Sequence, residues 1–278
     1  MKKIATLGAP HSFHDVATRY LFGEKTDVHR CFSFEEIVES LDSETHKLDG
    51  AVMAIENALV GCFLPNYMLL KNHGLTIVSE LILPIELALW VSPRHVGKPF
   101  DAVLSHTIAL RQCSHFLSTI PNIEEHAVTD TATAVNLAAE SENLVYGAIA
   151  GKEAGLDKGL VCVQENVQNR QRAWTRFLVL EKQKIAPNMA EVNKCSWFIR
   201  ALDQPGVLLS ILEQLQGTNI GKIQSVPDFE IEGQHGFIVD FAFSGSAEKY
   251  NELKKEVTEH AQTIQELGLY KSRNYGED

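Results

Sequence analysis

The sequence predicts an α/β protein made of a larger region with a mostly parallel sheet and a smaller ferredoxin-like domain. Three observations support this fold class. Over the first ~180 residues, short β-rich runs alternate with polar turns and helix-period segments. Residues 181–194 are polar and contain Pro187, which is typical of a linker. The elements predicted after this stretch follow the order βαββαβ, the ferredoxin-like arrangement.

Length and composition limit the possible functions. At roughly 150 residues per domain, 278 residues predict two domains. The net charge of −11 argues against a nucleic-acid partner, because phosphates require a basic surface. No apolar run approaches the ~20 residues needed to span a bilayer, and the basic start lacks a full signal sequence. We therefore expect a cytoplasmic protein with neither a membrane nor a nucleic-acid partner.

The cysteines predict neither a disulfide framework nor a zinc site. The chain has five of them, an odd number, and no two form a CxxC pair. We expect reduced thiols in the core.

The first region is predicted to place strands and helices in alternation. The strands are residues 3–7, 51–55, 102–104, 127–128 and 145–149. The helices are residues 14–22 and 34–41, one that starts near residue 109, and one that follows residues 129–131 and ends near residue 139. Since ligands bind at the carboxyl ends of parallel strands, the turns after these strands are candidate site positions.

The second region is predicted to contain four strands and two helices. The strands are residues 196–201, 222–225, 236–243 and a short last one at 267–270. The helices are residues 207–215 and 247–262, and the second one would place Tyr250, Leu253, Val257 and Ala261 on one face.

Four polar clusters fall at predicted strand-to-helix turns. They are Ser12-Phe13, Glu56-Asn57, Ser105-His106 and Thr129-Asp130-Thr131. A helix N-terminus offers unpaired N–H groups and a partial positive charge, so several such ends could hold a carboxylate-bearing ligand. The alternative is that these residues only cap helices, since Ser, Thr, Asn and Asp are the preferred N-caps.

Arg176, at the start of an apolar run, is a further candidate. An arginine at the end of a strand can bind a carboxylate with both arms, although a surface salt bridge is the alternative that the sequence favours. His11 and His14 could share a metal, but no carboxylate pattern accompanies them, so a capping or solvated role is favoured. The sequence contains no GxGxxG, P-loop, HExxH or GxSxG motif.

Several motifs, in this order and spacing, resemble the prephenate dehydratase family over nearly the whole chain. The most specific is Thr175-Arg176-Phe177 followed by Leu178-Val179-Leu180. The others are Ile55-Glu56-Asn57, Ser105-His106 with Gln112-Cys113, Thr131-Ala132, and in part Ser12-Phe13. Pro205-Gly206-Val207-Leu208 and residues 219–227 resemble the ACT domain, the amino-acid sensor of this family.

The resemblance implies a domain organisation. Residues 1–182 would form a two-lobed catalytic region like a periplasmic binding protein, which the chain crosses near Leu83 and recrosses before Thr175. Residues 183–194 would be the linker, and residues 195–273 the ACT domain.

The resemblance also implies a reaction: prephenate would lose water and carbon dioxide to give phenylpyruvate in L-phenylalanine biosynthesis, with no metal or organic cofactor. Thr175 matches the essential threonine of the family, which would hydrogen-bond to or protonate the departing hydroxyl. The implied substrate-binding residues are Arg176, Phe177, Asn57, Ser105, His106, Thr131, Ser12 and Phe13.

An amino-acid effector, phenylalanine or another aromatic amino acid, would bind the ACT domain. The implied effector-binding residues are Gly206, Val207, Leu208, Asn219, Gln224 and Ser225. Because ACT domains usually pair, a homodimer or homotetramer is expected. Gln224 and Val226 replace a Glu and an Arg of the family, so we expect weaker phenylalanine binding or a different effector.

The chain also departs from the family pattern near the catalytic motifs, at His11, Ala54, Ala58, Thr107 and Ala173. A non-catalytic two-lobed sensor for an aromatic acid or amino acid is therefore the alternative function. Thr175 favours the enzyme, since a sensor does not need a hydroxyl beside Arg176. A third alternative, two domains whose turn residues only cap helices, does not explain the ordered match.

Overall fold

The computed structural model describes residues 1–43, 45–182, 186–202, 204–227 and 235–277. The chain divides into two compact units. The first unit contains Met1–Asn66 and Leu81–Phe177, and the second contains Tyr67–Glu80 and Leu178–Asp278.

The elements alternate along most of the chain. The strands are β1 (Lys3–Leu7), β2 (Asp27–Cys31), β3 (Gly50–Asn57), β4 (Gly61–Cys62), β5 (Thr76–Pro84), β6 (Ala88–Val91), β7 (Ala102–His106), β8 (Glu124–Val128), β9 (Tyr146–Ala150), β10 (Val161–Gln164), β11 (Trp174–Glu181), β12 (Lys194–Ala201), β13 (Ile220–Pro227), β14 (His235–Ala242) and β15 (Ala261–Asn274). The helices are α1 (Phe13–Phe22), α2 (Phe34–Asp42), α3 (Leu64–Asn72), α4 (Thr107–Gln112), α5 (Ser114–Leu117), α6 (Thr131–Glu140), α7 (Lys152–Asp157), α8 (Val207–Gln214) and α9 (Ala247–Thr258), with a 3-10 turn at Pro93–His95.

In the first unit, one group of strands has the order β11-β3-β1-β2, with β4 against β3. Strand β1 is parallel to both β2 and β3. Helix α1 begins where the side chain of Ser12 accepts a hydrogen bond from the N–H of Asp15, and Ser33 caps α2 in the same way. The predicted strand at residues 3–7 and the helices that follow it are confirmed.

A second sheet of the first unit has the order β10-β6-β9-β7-β8. Strand β7 is parallel to β8 and β9, whereas β6 is antiparallel to both β9 and β10. A mostly parallel sheet is therefore confirmed for the strands that carry the polar turns, while one side of this sheet is antiparallel. Strands β6 and β10 are not among the strands predicted from the sequence.

In the second unit, the βαββαβ elements form the strand order β13-β14-β12-β15, which confirms the ferredoxin-like arrangement. Strand β12 is antiparallel to β14 and β15, and β13 is antiparallel to β14. Trp197 and Phe241 are fully buried and belong to the same core cluster as Ile211 of α8 and Val257 of α9.

The predicted helix over residues 247–262 is too long, and the predicted last strand is too short. Helix α9 ends at Thr258, and Ala261 is the first residue of β15, where it pairs with Ala201 of β12. Ala261 follows Val257 at a helical spacing, but pairing along the free edge of β12 decides its conformation. Tertiary pairing has overridden the local pattern here.

The segment Tyr67–Glu80 belongs to the second unit through buried polar contacts. The hydroxyl of Tyr67 donates to Oδ2 of Asp240 at 3.1 Å, and the hydroxyl of Ser196 donates to Oδ1 of the same carboxylate at 2.6 Å. Nζ of Lys194 lies 2.7 Å from Oε1 of the buried Glu80. Each buried carboxylate is therefore compensated by donors, as burial of a charge requires.

None of the helices in the described part of the chain is both long and apolar enough to cross a membrane. All five cysteines are free, and Cys31, Cys113 and Cys195 are buried. Burial raises the pKa of the Cys113 thiol to about 12, so this side chain stays protonated and unreactive at neutral pH.

Gly268 of β15 provides a test of the packing within the second unit. A Cβ atom added there would lie 2.3 Å from the carbonyl oxygen of Ile77, whereas one added at Gly221 of β13 would come no closer than 3.9 Å to its nearest neighbour, Asp240. We expect Gly268→Ala to lower the free energy of unfolding by about 1–3 kcal/mol through overpacking. Gly221→Ala is the matched control. Urea denaturation curves measure both, and equal midpoints for the two variants would contradict this packing.

Candidate functional site

A cavity of about 300 Å³ lies in the first unit, at the carboxyl ends of β1, β3, β7 and β8 and at the amino end of β11. Many of its walls come from the polar turns that the sequence singles out. The predicted site residues that line it are Ser12, Phe13, Asn57, His106, Thr131, Thr175 and Phe177. The structure thus brings together side chains up to 165 positions apart in sequence, from Ser12 to Phe177.

Two predicted substrate-binding residues, Ser105 and Arg176, do not line this cavity. Ser105 is fully buried, and its hydroxyl donates to the carbonyl of Ile149 at 2.6 Å. Successive residues of a strand face opposite sides, so Thr175 and Phe177 face the cavity while Arg176 between them does not. The predicted contacts of Ser105 and Arg176 with a substrate stay predictions.

Arg176 forms a buried ion pair rather than the surface salt bridge that the sequence favours. Its side chain is only 4% exposed, and Nη1 lies 3.5 Å from Oε2 of Glu56. Because Glu56 precedes Asn57 on β3 and Arg176 follows Thr175 on β11, the pair holds the two strands together beside the cavity.

Asn57 and Thr175 form the central polar contact of the cavity. Nδ2 of Asn57 donates to Oγ1 of Thr175 at 2.9 Å. The orientation of the amide is fixed, because its Oδ1 accepts from the backbone N–H groups of Leu59 and Val60 at 3.0 and 3.3 Å. Gln112 donates to the same oxygen at 3.4 Å.

This arrangement determines what the Thr175 hydroxyl can do. The oxygen already accepts from Asn57, and among the described residues the hydroxyl proton has no acceptor. Thr175 is 8% exposed and lines the cavity. It can therefore donate a hydrogen bond to a ligand in the cavity.

Two helices of ten residues, α1 and α6, begin at the cavity wall. Ser12 caps α1, and Asp130 caps α6 by accepting from the N–H of Thr133 at 2.8 Å. The remaining N–H groups of a first helical turn lack intrahelical acceptors and attract anions. None of the lining residues in the described part of the chain is a lysine or an arginine. Ser12 and Asp130 therefore both cap a helix and line the cavity.

Two histidines line the cavity, and both favour the neutral form. Burial, and secondarily His106, lowers the pKa of His14 to about 3. Burial also lowers the pKa of His106, although the charge of Asp130 acts in the opposite direction. Nδ1 of His106 accepts from the N–H of Ile108 at 3.3 Å and so caps α4.

Sequence reasoning missed His14 as a cavity residue, because it was grouped with His11 as a solvated or capping pair. Nε2 of His11 lies 3.3 Å from Oδ1 of Asp157, and His11 does not line the cavity, whereas His14 does. Only the position of His14 immediately after Ser12-Phe13 could have indicated its role. No group of three or more potential metal ligands occurs in the part of the chain that the structure describes.

The departures from the family motifs lie around the cavity in different ways. Ala54 lines it. Ala58 donates its N–H to the carbonyl of Trp174 at 2.9 Å, and Ala173 accepts from the N–H of Ile85 at 2.9 Å. Thr107 is the first residue of α4. Ala58 and Ala173 thus contribute through their backbone.

The predicted effector residues all lie in the second unit. Gly206 has a φ of 83° and precedes α8, so Val207 and Leu208 form the first turn of that helix. Gln224 and Ser225 lie on β13, an edge strand of the sheet, next to a fully buried Val226. The carbonyl of Asn219 accepts from the N–H of Ala242 at 2.8 Å.

The lowered pKa of His14 predicts a specific acid sensitivity. The His14 ring is protonated near pH 6.5 in the unfolded chain but only near pH 3 in the folded chain. The free energy of unfolding therefore decreases as the pH falls from 6.5 to 3. At pH 5 the loss is on the order of 1–2 kcal/mol. We expect His14→Asn to reduce the difference in unfolding free energy between pH 7 and pH 5 by this amount.

The matched control for this measurement is His115→Asn, at an exposed histidine outside the cavity lining. Denaturant unfolding at the two pH values gives the comparison. An unchanged difference in the His14→Asn variant would show that this ring is protonated as readily in the folded as in the unfolded chain.

Comparison with known proteins identifies the family. The family model described as prephenate dehydratase matches residues 4–185. A bifunctional chorismate mutase/prephenate dehydratase of Aquifex aeolicus is 29% identical over 96% of this chain and 73% of its own length. An arogenate dehydratase/prephenate dehydratase 1 of Arabidopsis thaliana is 30% identical over 96% of this chain and 71% of its own length.

The fold agrees with this result. The crystal structure of a prephenate dehydratase from Arthrobacter aurescens, in complex with L-Phe, superposes with a TM-score of 0.85 over 97% of this chain and 89% of the other, at 21% identity. At that identity the likeness shows the fold alone. Together with the match over residues 4–185, it establishes that this chain belongs to the prephenate dehydratase family.

Proposed function

We propose that this chain converts prephenate to phenylpyruvate, with loss of water and carbon dioxide, in L-phenylalanine biosynthesis. The single observation that carries the proposal is the Asn57–Thr175 pair, with its uncommitted hydroxyl proton inside the cavity. Family membership and the two-sheet architecture around the cavity support it.

Aromatisation of the ring supplies the driving force of the reaction. The bond between the ring and its carboxylate breaks, the carboxylate leaves as carbon dioxide, and its electron pair enters the ring. The ring hydroxyl departs with its bonding electrons and takes up a proton from the solvent, so that it is released as water. Thr175 donates a hydrogen bond to that oxygen as negative charge develops on it. Since an alcohol is a weak acid, stabilisation of this charge and positioning contribute more than full proton transfer.

The substrate carries two carboxylates, and among the described residues the cavity lining offers them no lysine or arginine. The N-termini of α1 and α6, with Ser12, Phe13 and Thr131, are the proposed carboxylate-binding positions. Asn57, His106 and Phe177 complete the proposed substrate contacts. Arg176 and Ser105 stay proposed substrate-binding residues, although they do not line this cavity and contact Glu56 and the carbonyl of Ile149.

Two substitutions of Thr175 test its role. Thr175→Val keeps the shape of the side chain but removes the hydroxyl, so we expect kcat to fall on the order of 10²–10³-fold. Thr175→Ser keeps the donor and is the matched control, with most of the activity retained. Phenylpyruvate formation from prephenate measures both variants.

Arogenate is assayed beside prephenate, because the Arabidopsis relative carries both names. Wild-type kcat in the Val variant would refute the role of Thr175. Binding of prephenate by the wild-type chain without turnover would favour the alternative of a sensor for an aromatic acid.

We further propose that residues 195–273 form an ACT domain that binds an aromatic amino acid, with residues 1–182 as the catalytic region and 183–194 as the linker. The strand order of the second unit supports this division, and the L-Phe in the Arthrobacter structure supports an amino-acid effector. The proposed effector residues are Gly206, Val207, Leu208, Asn219, Gln224 and Ser225. A homodimer or homotetramer and a cytoplasmic location complete the proposal.

Gln224 sets the proposed strength of effector binding. An ammonium group prefers a charged acceptor, because charge-assisted hydrogen bonds are roughly twice as strong as neutral ones. We expect weak phenylalanine binding in the wild type and tighter binding in Gln224→Glu. Gln262→Glu, at an exposed position of β15, is the control for the added charge. Calorimetric titrations with phenylalanine, tyrosine and tryptophan measure the effector affinity of each variant. Equal phenylalanine affinity in the wild type and Gln224→Glu would contradict the argument from charge.

A further inference from the structure

We propose that His14 is an additional substrate-binding residue, whose ring donates its Nδ1–H to an anionic oxygen of the substrate. The inference rests on the proposed function for the identity of the substrate. It concerns a residue that the family motifs in this sequence do not include.

The backbone determines which nitrogen of His14 carries the proton. The N–H of Ala54 donates to Nε2 of His14 at 3.3 Å. Ala54 lies two residues beyond Val52, where the pairing between β3 and β1 ends, so this N–H receives its partner from the histidine. A ring nitrogen that accepts a hydrogen bond has no proton of its own, and in the neutral ring the proton is therefore on Nδ1.

Nδ1 of His14 is the donor that remains unused. Among the described residues it has no hydrogen-bond partner, and it is not one of the buried polar atoms sealed from solvent. Since His14 lines the cavity, the opening available to this N–H is the cavity itself. A donor in this position loses a hydrogen bond unless a ligand or water supplies the acceptor.

Neighbouring aromatic rings fix the orientation of the imidazole. His14 contacts Phe177 edge to face, with ring centroids 5.0 Å apart and an interplanar angle of 85°. Phe34 lies on another side, at 5.8 Å between centroids. Both phenylalanines line the cavity. A ring held in this way loses little conformational freedom when it binds a ligand.

The electrostatics favour a neutral donor here. The pKa of His14 is lowered to about 3, mainly by burial and secondarily by His106. The ring therefore stays neutral over the working range of pH and donates without a titration step. A neutral imidazole that binds and polarises a substrate oxygen is an established catalytic arrangement.

Two variants of the same size separate this donor from the contact with Ala54. His14→Asn places an amide group near the position of Nδ1, and His14→Leu has the same branching without any donor. Neither side chain reaches Ala54 as Nε2 does, so both lose that contact equally. The measurements are kcat and KM with prephenate, the calorimetric affinity for phenylpyruvate, and the melting temperature.

We expect His14→Leu to lower kcat/KM on the order of 10- to 100-fold, the loss of one hydrogen bond to a charged group. His14→Asn should recover most of that loss although it melts at the same temperature as the Leu variant. In the wild-type protein, the NMR signal of the Nδ1 proton should shift when phenylpyruvate is added. Because the NMR measurement uses the wild-type protein, it tests the proposal even if a variant fails to fold.

Equal kinetic losses in the two variants, or no loss in either, would overturn the role of His14, as would an unshifted proton signal. If the wild-type chain does not convert prephenate but binds phenylpyruvate, and only His14→Leu weakens that binding, the proposed function fails while the role of His14 stands. If the wild-type chain binds neither compound, both are overturned.

Discussion

The hydrogen bond from Asn57 to Thr175 is the interaction on which the site depends. It joins the ends of β3 and β11, which come from distant parts of the chain, at the wall of one cavity. Two backbone N–H groups hold the amide of Asn57 in one orientation, and this orientation leaves the hydroxyl proton of Thr175 available to a ligand. Without the amide, the same hydroxyl could rotate and donate to protein groups instead. The hydrogen bond from Asn57 therefore orients the Thr175 hydroxyl as a donor to a ligand in the cavity.

The electrostatic character of the cavity depends on groups other than lysine and arginine side chains. Its lining combines neutral donors and helix N-termini with the carboxylate of Asp130. It contains no lysine or arginine among the described residues, although the proposed substrate has two carboxylates. Burial lowers the pKa of both His14 and His106 and so favours their neutral forms. The buried guanidinium of Arg176 is paired with Glu56 outside the lining. Binding of an anion here depends on oriented dipoles, which a helix supplies without a mobile side chain.

The sequence was informative where local patterns and tertiary contacts agree. The polar turns after β1, β3, β7 and β8 were predicted and line the cavity, because the carboxyl ends of parallel strands meet at one edge. The resemblance to the family implies that both Thr175 and Arg176 contact the substrate. Successive residues of a strand face opposite sides, however, and only Thr175 faces the cavity. The spacing of His14 does not predict its tautomer, since this depends on a hydrogen bond from the backbone N–H of Ala54 on β3. Ala261 was misassigned because a helical spacing continues past the true helix end, and only pairing with β12 decides the matter.

The most direct test of this site is a double-mutant cycle of kcat/KM for prephenate, built from the wild type, Asn57→Ala, Thr175→Val and the double variant. If Asn57 acts by orienting the Thr175 hydroxyl, removing the amide should cost little once the hydroxyl is gone. The double variant should then be nearly as active as Thr175→Val alone, with a coupling close to the whole effect of Asn57→Ala. Additive losses, with the amide costing as much in the valine background as in the wild type, would show that the two residues act independently and would contradict an aimed Thr175 donor.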